Sequence, residues 1–590
     1  MENKLPVYEP SGFALQIFKD RYAIHENESY QEACSRVSRY IADAESGLKR
    51  EEYFNRFLEI LSKNRFSCGG RVWRNSGRPR GQLLNCFVIP VSDSRESWAK
   101  AIGDLVVVSG MGGGVGYNCS KVRPRGTPIR GTGGTATGAV SLMKCINAVG
   151  NEIKEGGGRR TAIMLCLDFD HPDIVEFLEA KLDNNELNNA NISVCIDNEF
   201  LDLYEKDKDI ILKWAGEEKG RIKARWLWNK VIENAWKNGD PGFLNKGYAN
   251  EMNPMAYYGD LEATNPCGEI YLFPYDACCL GSINLHTHVI NGKIDWDLLE
   301  ETVALGVRFL DNVLDKNNYP LKEIEQTCQS LRRIGLGVMG LCDTFLELGM
   351  EYGSEESLKL TDKIMDFIKK RAYDTSITLA VEKGSFQEFN AKKHIETGFI
   401  KKKLTPSHRR RILEHGLRNC AILMIAPCGT TSIVAGVSSG VEPMFSPIYK
   451  RSFNKHNDNQ NKKESSSEIV IHPLLEKFIK EKRCIKHFKG AHEISPETHI
   501  KIQSICQKHL DNSISKTINL PNDFPVENLS NVIGKYIKEL KGITIFRDGS
   551  KGGISPLMPL PIEEAQKYIN KINTKTEATT IDCPNGKCEI

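Results

Sequence analysis

Apolar residues recur at helical spacing near the start of the chain. Phe13, Ile17 and Tyr22 form one series, and Phe54, Phe57, Leu58 and Leu61 another. They predict an N-terminal helical region over residues 1–65. From Ser67 the texture changes to short β-rich runs: LLNCFVIPV (83–91), TAIMLCLDFD (161–170), NISVCID (191–197), CAILMIAP (420–427) and GITIF (542–546). Helical stretches alternate with them. One covers 173–181, where Pro172 suits a first helical position. The alternation predicts an α/β region over 66–554, built on a large sheet or barrel. Residues 454–468 (NKHNDNQNKKESSSE) are polar and of low complexity, which predicts an exposed insertion loop. β character fades again from Gly552. Residues 555–590 hold one short helical stretch and then NTKTEATTIDCPNGKCEI, so a flexible tail is expected there.

Composition narrows the class. The net charge of the 590 residues is only +3, without the clustered basic excess of a DNA-binding protein. No apolar run reaches the ~18–20 residues of a membrane span. The N-terminus MENKLPVYEPSGFALQIFKD lacks a signal-peptide layout, so a cytoplasmic protein is expected. The 18 cysteines are then mostly reduced. Cys34, Cys145, Cys166, Cys195, Cys328 and Cys506 sit among apolar neighbours and read as small buried hydrophobes. Chemistry is to be sought at cysteines with polar, Gly or Pro neighbours.

Two familiar patterns fail on context. Gly335-Leu336-Gly337-Val338-Met339-Gly340 fits GxGxxG, but EIEQTCQSLRR before it reads as helix, where a dinucleotide site needs a strand. Gly436-Val437-Ser438-Ser439-Gly440 fits GxSxG, but Pro443 is awkward for the helix that a nucleophile elbow requires.

A stronger constellation is Asn265-Pro266-Cys267-Gly268-Glu269. In an extended segment, positions i−2, i and i+2 share a side, which would put an amide, a thiol and a carboxylate on one face. That set suits radical chemistry on a polyol: sulfur to abstract hydrogen, carboxylate as base, amide to orient an oxygen. Asp276-Ala277-Cys278-Cys279-Leu280-Gly281-Ser282-Ile283-Asn284-Leu285 follows, and Asn85-Cys86-Phe87 lies far upstream on a predicted strand. Downstream, Ala426-Pro427-Cys428-Gly429-Thr430-Thr431-Ser432 offers backbone N–H groups and hydroxyls, a phosphate cradle without the GK[ST] of a Walker loop. Near the C-terminus Cys583 and Cys588 frame CPNGKC; two thiols cannot complete a structural zinc site, and a dithiol shuttle is the better reading. No metal site is expected.

Together NPCGE, DACCLGSINL, the NCFV strand, RRIGLGVMG, APCGTTS with SSGVEP, DNSISKTINLP (511–521) and GITIFRDGSKG (542–552) resemble ribonucleotide reductase catalytic chains, in that family's order, from about residue 10 onward. The resemblance implies a ten-stranded α/β barrel of two antiparallel five-stranded halves, with a finger loop carrying the radical cysteine to its centre. It implies that Cys267 is the thiyl radical that takes the 3′ hydrogen of the ribose. Glu269 would take the 3′-hydroxyl proton, and Asn265 would hold substrate oxygens. Cys86 and Cys278 would reduce the 2′ position and become a disulfide, Cys278 being favoured over Cys279. Asn85, Pro427, Cys428, Gly429, Thr430, Thr431 and Ser432 would bind the ribonucleotide's phosphates, with Cys428 departing from the threonine expected there. Cys583 and Cys588 would re-reduce the pair by thiol–disulfide exchange, themselves served by thioredoxin or glutaredoxin. A flexible span from Ser555 to Cys583 reaches roughly 30 Å. Asp93, Ser94, Gly156, Gly157, Gly158, Arg159 and Arg160 match segments that bind and relay deoxynucleotide or ATP effectors. No additional N-terminal ATP-sensing domain, and so no overall-activity switch, is expected. A homodimer remains open.

The radical generator is read from text match. FRDGSKG resembles the adenosylcobalamin-dependent class. The region after Gly549 holds Tyr568 but no tyrosine pair, and Arg547-Asp548-Gly549-Ser550 lacks the setting of a glycyl radical. The alternatives are the radical-receiving large subunit of a two-protein, metal-dependent reductase, and a non-catalytic nucleotide-binding regulator. The intact set Cys86, Cys267, Cys278 and Glu269 speaks against the regulator.

Overall fold

Three helices open the chain: α1 (Gly12–Arg21), α2 (Tyr30–Ala42) and α3 (Leu48–Ser62). The computed structural model describes residues 5–131, 133–155, 159–182, 186–456, 463–550 and 557–569. Ser29 and Glu32 form a reciprocal cap that starts α2, and Ala33, Val37 and Ile41 recur one turn apart on its buried side. This helical region rests on α4 (Trp296–Lys316), where Phe57 meets Phe309 edge-on at 5.1 Å. Glu45, just past α2, forms a two-pronged ion pair with Arg308 of α4 at 2.7 and 2.9 Å.

Ten strands make the main sheet. They are β1 (Phe66–Cys68), β2 (Cys86–Val88), β3 (Gly114–Asn118), β4 (Ile163–Asp168), β5 (Ala190–Ile196), β6 (Gly242–Asn245), β7 (Ala277–Asn284), β8 (Ile334–Met339), β9 (Thr517–Leu520) and β10 (Gly542–Arg547). Strands β2, β3, β4, β5 and β6 pair in parallel, in that order. β7 pairs in parallel with β8, and β9 with β10. The two sets meet in antiparallel fashion at β2–β7 and at β6–β10. Single parallel bridges, Leu336 to Leu423 and Ile425 to Ile514, link β8 through the 420–426 segment toward β9. Every residue of β7 and β8 is buried, as expected of strands covered on both faces.

Several expectations need correction. The polar stretch at 454–468 is not a plain loop: Ile448–His456 and Lys463–Ile471 pair as an antiparallel hairpin, and Leu557–Pro559 adds a third strand to it. The segment read as a tail therefore begins with a paired strand. Before GLGVMG the expected helix is present, Lys322–Leu331, and the segment is itself strand β8. The GxSxG stretch follows a helix, Gly429–Ala435, so no strand leads into it. The run 420–427 makes bridges but no regular strand. The helix expected over 173–181 runs Ile174–Glu179 with Asp173 at its N-cap, so Pro172 precedes the cap and does not take the first helical position. Cys145 is exposed, against the buried reading given to it. Among the described residues no disulfide is formed, and no helix is long and apolar enough to cross a membrane.

Candidate active site

A short two-stranded ribbon, Ala263–Thr264 paired with Tyr271–Leu272, carries the loop 265–270. The loop is a turn, not the extended segment expected. Gly268 takes φ +77°, a region glycine enters without strain, and its N–H closes on the Asn265 carbonyl at 3.1 Å. The three side chains consequently do not share a face. Asn265 and Glu269 are buried, while Cys267 is exposed on the wall of a cavity of about 1000 Å³.

Contacts from distant parts of the chain fix the loop. Asn191 donates to the Pro266 carbonyl at 2.8 Å, and the Ser513 N–H donates to the Glu269 carbonyl at 3.0 Å. The Tyr271 N–H reaches the Asn512 side chain at 2.8 Å. On β3, a Cβ added at Gly116 would lie 1.8 Å from the Thr264 carbonyl oxygen, so the ribbon's close approach requires glycine there.

Asn265 and Glu269 converge on Cys86. The Asn265 amide donates to the Cys86 sulfur at 3.2 Å, and the Cys86 thiol donates to a Glu269 oxygen at 3.6 Å. Cys86 lies opposite Cys278 in the β2–β7 register. The Cys278 thiol donates to the Cys279 carbonyl at 3.2 Å, whereas the Cys279 thiol points to the Leu310 carbonyl of α4, at 3.3 Å. Of the two neighbours, Cys278 therefore faces the Cys86 cluster and Cys279 the helical layer.

Burial sets the protonation states. Burial, and then the Glu269 charge, push the Cys86 thiol well above its ordinary range; burial does the same to Cys278. Both are held as neutral thiols. Burial also raises the Glu269 carboxyl, against a hydrogen bond from Asn265 that favours the anion. One Glu269 oxygen and the Asn85 side-chain oxygen are buried without a protein partner. Such atoms are normally satisfied, and a substrate hydroxyl or amine would do so.

The expected phosphate loop borders the same cavity. Cys428 caps α5 (Gly429–Ala435); its N–H donates to Ser439 Oγ at 3.0 Å, and its sulfur lies 3.0 Å from Ser282 Oγ on β7. Gly429 and Ser432 line the cavity with Cys267. The hydroxyls are engaged within the protein: Thr430 with Tyr22, Thr431 with the Cys428 carbonyl, and Ser432 with the Gly429 carbonyl. Pro427 precedes the cap.

Other expected residues lie apart from this cluster. Asp93 is paired with Arg123 at 2.8 Å, and Ser94 caps the helix Arg95–Gly110. Arg159 and Arg160 pair with Glu155 and Lys154 in a two-stranded ribbon. Gly156, Gly157, Gly158, Cys583 and Cys588 lie outside the described residues. Sequence reasoning did not single out Asn191, Ser282, Met424 or Ser513. Ser513 lies inside a quoted motif, DNSISKTINLP, but nothing in its spacing points to the Glu269 loop.

Comparisons with known proteins identify the family. Residues 84–546 match the family described as "Ribonucleotide reductase, barrel domain", and residues 8–81 the "Ribonucleotide reductase, all-alpha domain". A vitamin B12-dependent ribonucleoside-diphosphate reductase of Thermoplasma acidophilum is 36% identical over 574 residues, covering 92% of this chain and 72% of that protein. Its namesake from Mycobacterium tuberculosis is 33% identical, covering 93% of this chain and 81% of its own length. A ribonucleoside-diphosphate reductase subunit alpha of Chlamydia pneumoniae is 27% identical, covering 92% of this chain and 61% of its own. With these two domain matches in sequence order over most of its length, the chain belongs to the ribonucleotide reductase large-chain family.

Proposed function

We propose that this ribonucleotide reductase converts ribonucleoside diphosphates to 2′-deoxyribonucleotides, supplying DNA precursors, and that it takes cobalamin in the adenosyl form. The observation that carries the reading is the convergence of Asn265 and Glu269 on Cys86, opposite Cys278, beside a cavity that Cys267 lines. The diphosphate and the cofactor follow the names of the Thermoplasma and Mycobacterium relatives. We read the ring of pairings, with its two single bridges, as a closed ten-stranded barrel around the loop.

The lining of the cavity suits the chemistry of both ligands. Its apolar wall includes Phe445, Ile469, Ile471 and Pro473, suited to the face of a macrocycle, while Ser439 and Ser515 suit a ribose or phosphate. Phe445, Ile469, Ile471 and Pro473 would hold the cofactor, which would supply radical chemistry, with Cys267 as the thiol that yields its hydrogen. The chain's own residues do the rest. Cys267 abstracts the 3′ hydrogen. Glu269, raised by burial, accepts the 3′-hydroxyl proton, and Asn265 orients the substrate oxygens. Cys86 and Cys278 deliver two electrons and two protons to the 2′ position; its hydroxyl leaves as water, and a disulfide remains. Cys583 and Cys588 are proposed to regenerate the pair, served by a thioredoxin- or glutaredoxin-type protein in a reducing cytoplasm. Asp93, Ser94 and the 156–160 loop are proposed to sense effectors.

The test is an anaerobic assay of the purified chain with dithiothreitol, CDP or CTP plus an effector nucleotide, with and without adenosylcobalamin. Product from CDP that requires the cofactor is expected. Product only after adding a separate radical-generating protein would replace the cobalamin reading with a two-protein one.

A further inference from the structure

The glycines of GLGVMG serve no dinucleotide, but one of them meets the reducing pair. In β7, Cys278 stands between β2 on one side and β8 on the other. Its sulfur leans to the β8 side. A Cβ built on Gly335 would lie 2.8 Å from the Cys278 sulfur and 2.8 Å from Met424 Cε. The thiol thus rests in a slot bounded by the bare Gly335 backbone and the Met424 side chain, and donates to the Cys279 carbonyl at 3.2 Å. A methyl group would not fit there unless the sulfur or Met424 moved.

The oxidised pair needs the opposite arrangement. Directly opposed residues of antiparallel strands hold their Cβ atoms ~4.5–5.5 Å apart. A disulfide needs ~3.5–4.5 Å and an S–S bond of about 2.05 Å. On oxidation the Cys278 sulfur must leave the slot and turn toward β2. The slot therefore belongs to the dithiol state only.

We propose that Gly335 is a positioning residue that sets the redox balance of the Cys86–Cys278 pair, by reserving space for the reduced Cys278 thiol. The inference rests on the reading of that pair as the electron donor. In that reading Cys86–SH, Cys278–SH and a ribonucleotide give the disulfide, the 2′-deoxyribonucleotide and water. The overlap with Met424 is common to both states, but the overlap with the Cys278 sulfur burdens the dithiol alone, so filling the slot should make the pair resist re-reduction. Enlarging the slot should do the reverse.

The experiment equilibrates the full chain, as parent, Gly335→Ala and Met424→Ala, in mixtures of reduced and oxidised dithiothreitol. Alkylation and peptide mapping then read the Cys86–Cys278 bond. In Gly335→Ala the midpoint is expected at a reduced-to-oxidised dithiothreitol ratio at least tenfold higher, equivalent to about 30 mV. In Met424→Ala it is expected several-fold lower. A Gly335→Ala midpoint equal to the parent's, or shifts of the same sign in both variants, would overturn the proposal. Should Gly335→Ala not fold, Met424→Ala decides by itself, and an unmoved midpoint there refutes the slot. A parent that forms no Cys86–Cys278 disulfide during turnover refutes the donor-pair reading, and the slot with it.

Discussion

Cys86 on β2 lies directly opposite Cys278 on β7, and the adjacent Cys279 thiol points away to the Leu310 carbonyl. This arrangement separates two cysteines that are neighbours in sequence. Cys278→Ser should cut dithiothreitol-supported turnover by at least ~100-fold, about 2.7 kcal/mol in barrier. Cys279→Ser should stay within about threefold of the parent, since the serine hydroxyl keeps a donor facing the Leu310 carbonyl and the site lies away from Cys86. Steady-state rates on the two variants check this; the reverse ranking would move the reducing role to Cys279.

Glu269 is 1% exposed, and burial raises its carboxyl above the ordinary range. A base works only when ionised, so activity should fall as pH drops through that raised value. The acid limb of kcat is expected above the ~4.3 of an ordinary glutamate. Glu269→Gln should lower kcat by roughly 10²- to 10⁴-fold and abolish that limb. An unchanged acid limb in Glu269→Gln would assign it to another group.

Asn191 acts on the loop from β5, through its 2.8 Å hydrogen bond to the Pro266 carbonyl beside Cys267. The bond itself contributes ~1 kcal/mol of stability. Its larger effect should be on geometry, because displacing a reacting atom by about 1 Å can cost ~100-fold in rate. Asn191→Ala is therefore expected to lower kcat by ten- to a hundredfold while KM and the melting temperature change little. A raised KM with an intact kcat would make Asn191 a substrate contact instead.

The N-terminal helices were readable because their apolar residues repeat within one element, as Phe57 and Leu61 do along α3. Cys86, Cys278 and the 265–270 loop were readable as motifs, and the structure brings them together. The loop's shape was not, because the extended reading of NPCGE overlooked how readily Gly268 enters a left-handed turn. The hairpin at 448–471 escaped for another reason: many of its strand residues are polar, so composition could not separate it from a solvated loop. The contacts that tune the site join residues far apart in the chain. Asn191 with Pro266, Ser513 with Glu269, and Gly335 with Cys278 leave no local trace in either partner's neighbourhood.

Glu45 couples the helical region to the barrel, and its ionisation makes that coupling sensitive to acid. Burial opposes the charge, but hydrogen bonds from Arg308 and Asn312 and the nearby Lys383 overcome it and hold the pKa at about 2. The folded value lies below that of an ordinary glutamate. The contribution to stability is therefore complete above the unfolded pKa and is lost as pH falls from ~4.3 toward 2. Its size is about 3 kcal/mol, with the side chain only 3% exposed. Glu45→Gln should destabilise the protein at pH 7 by that order, because Arg308 and Lys383 then lack a buried counter-charge. The difference from the parent should shrink steadily from pH 4.5 toward pH 2, because the unfolded chain takes up a proton at Glu45 over that range while the folded protein does so only near 2. Urea unfolding of both proteins across that range is the measurement. A difference that stays constant with pH would mean that packing, and not the charge of Glu45, holds the helical region to α4.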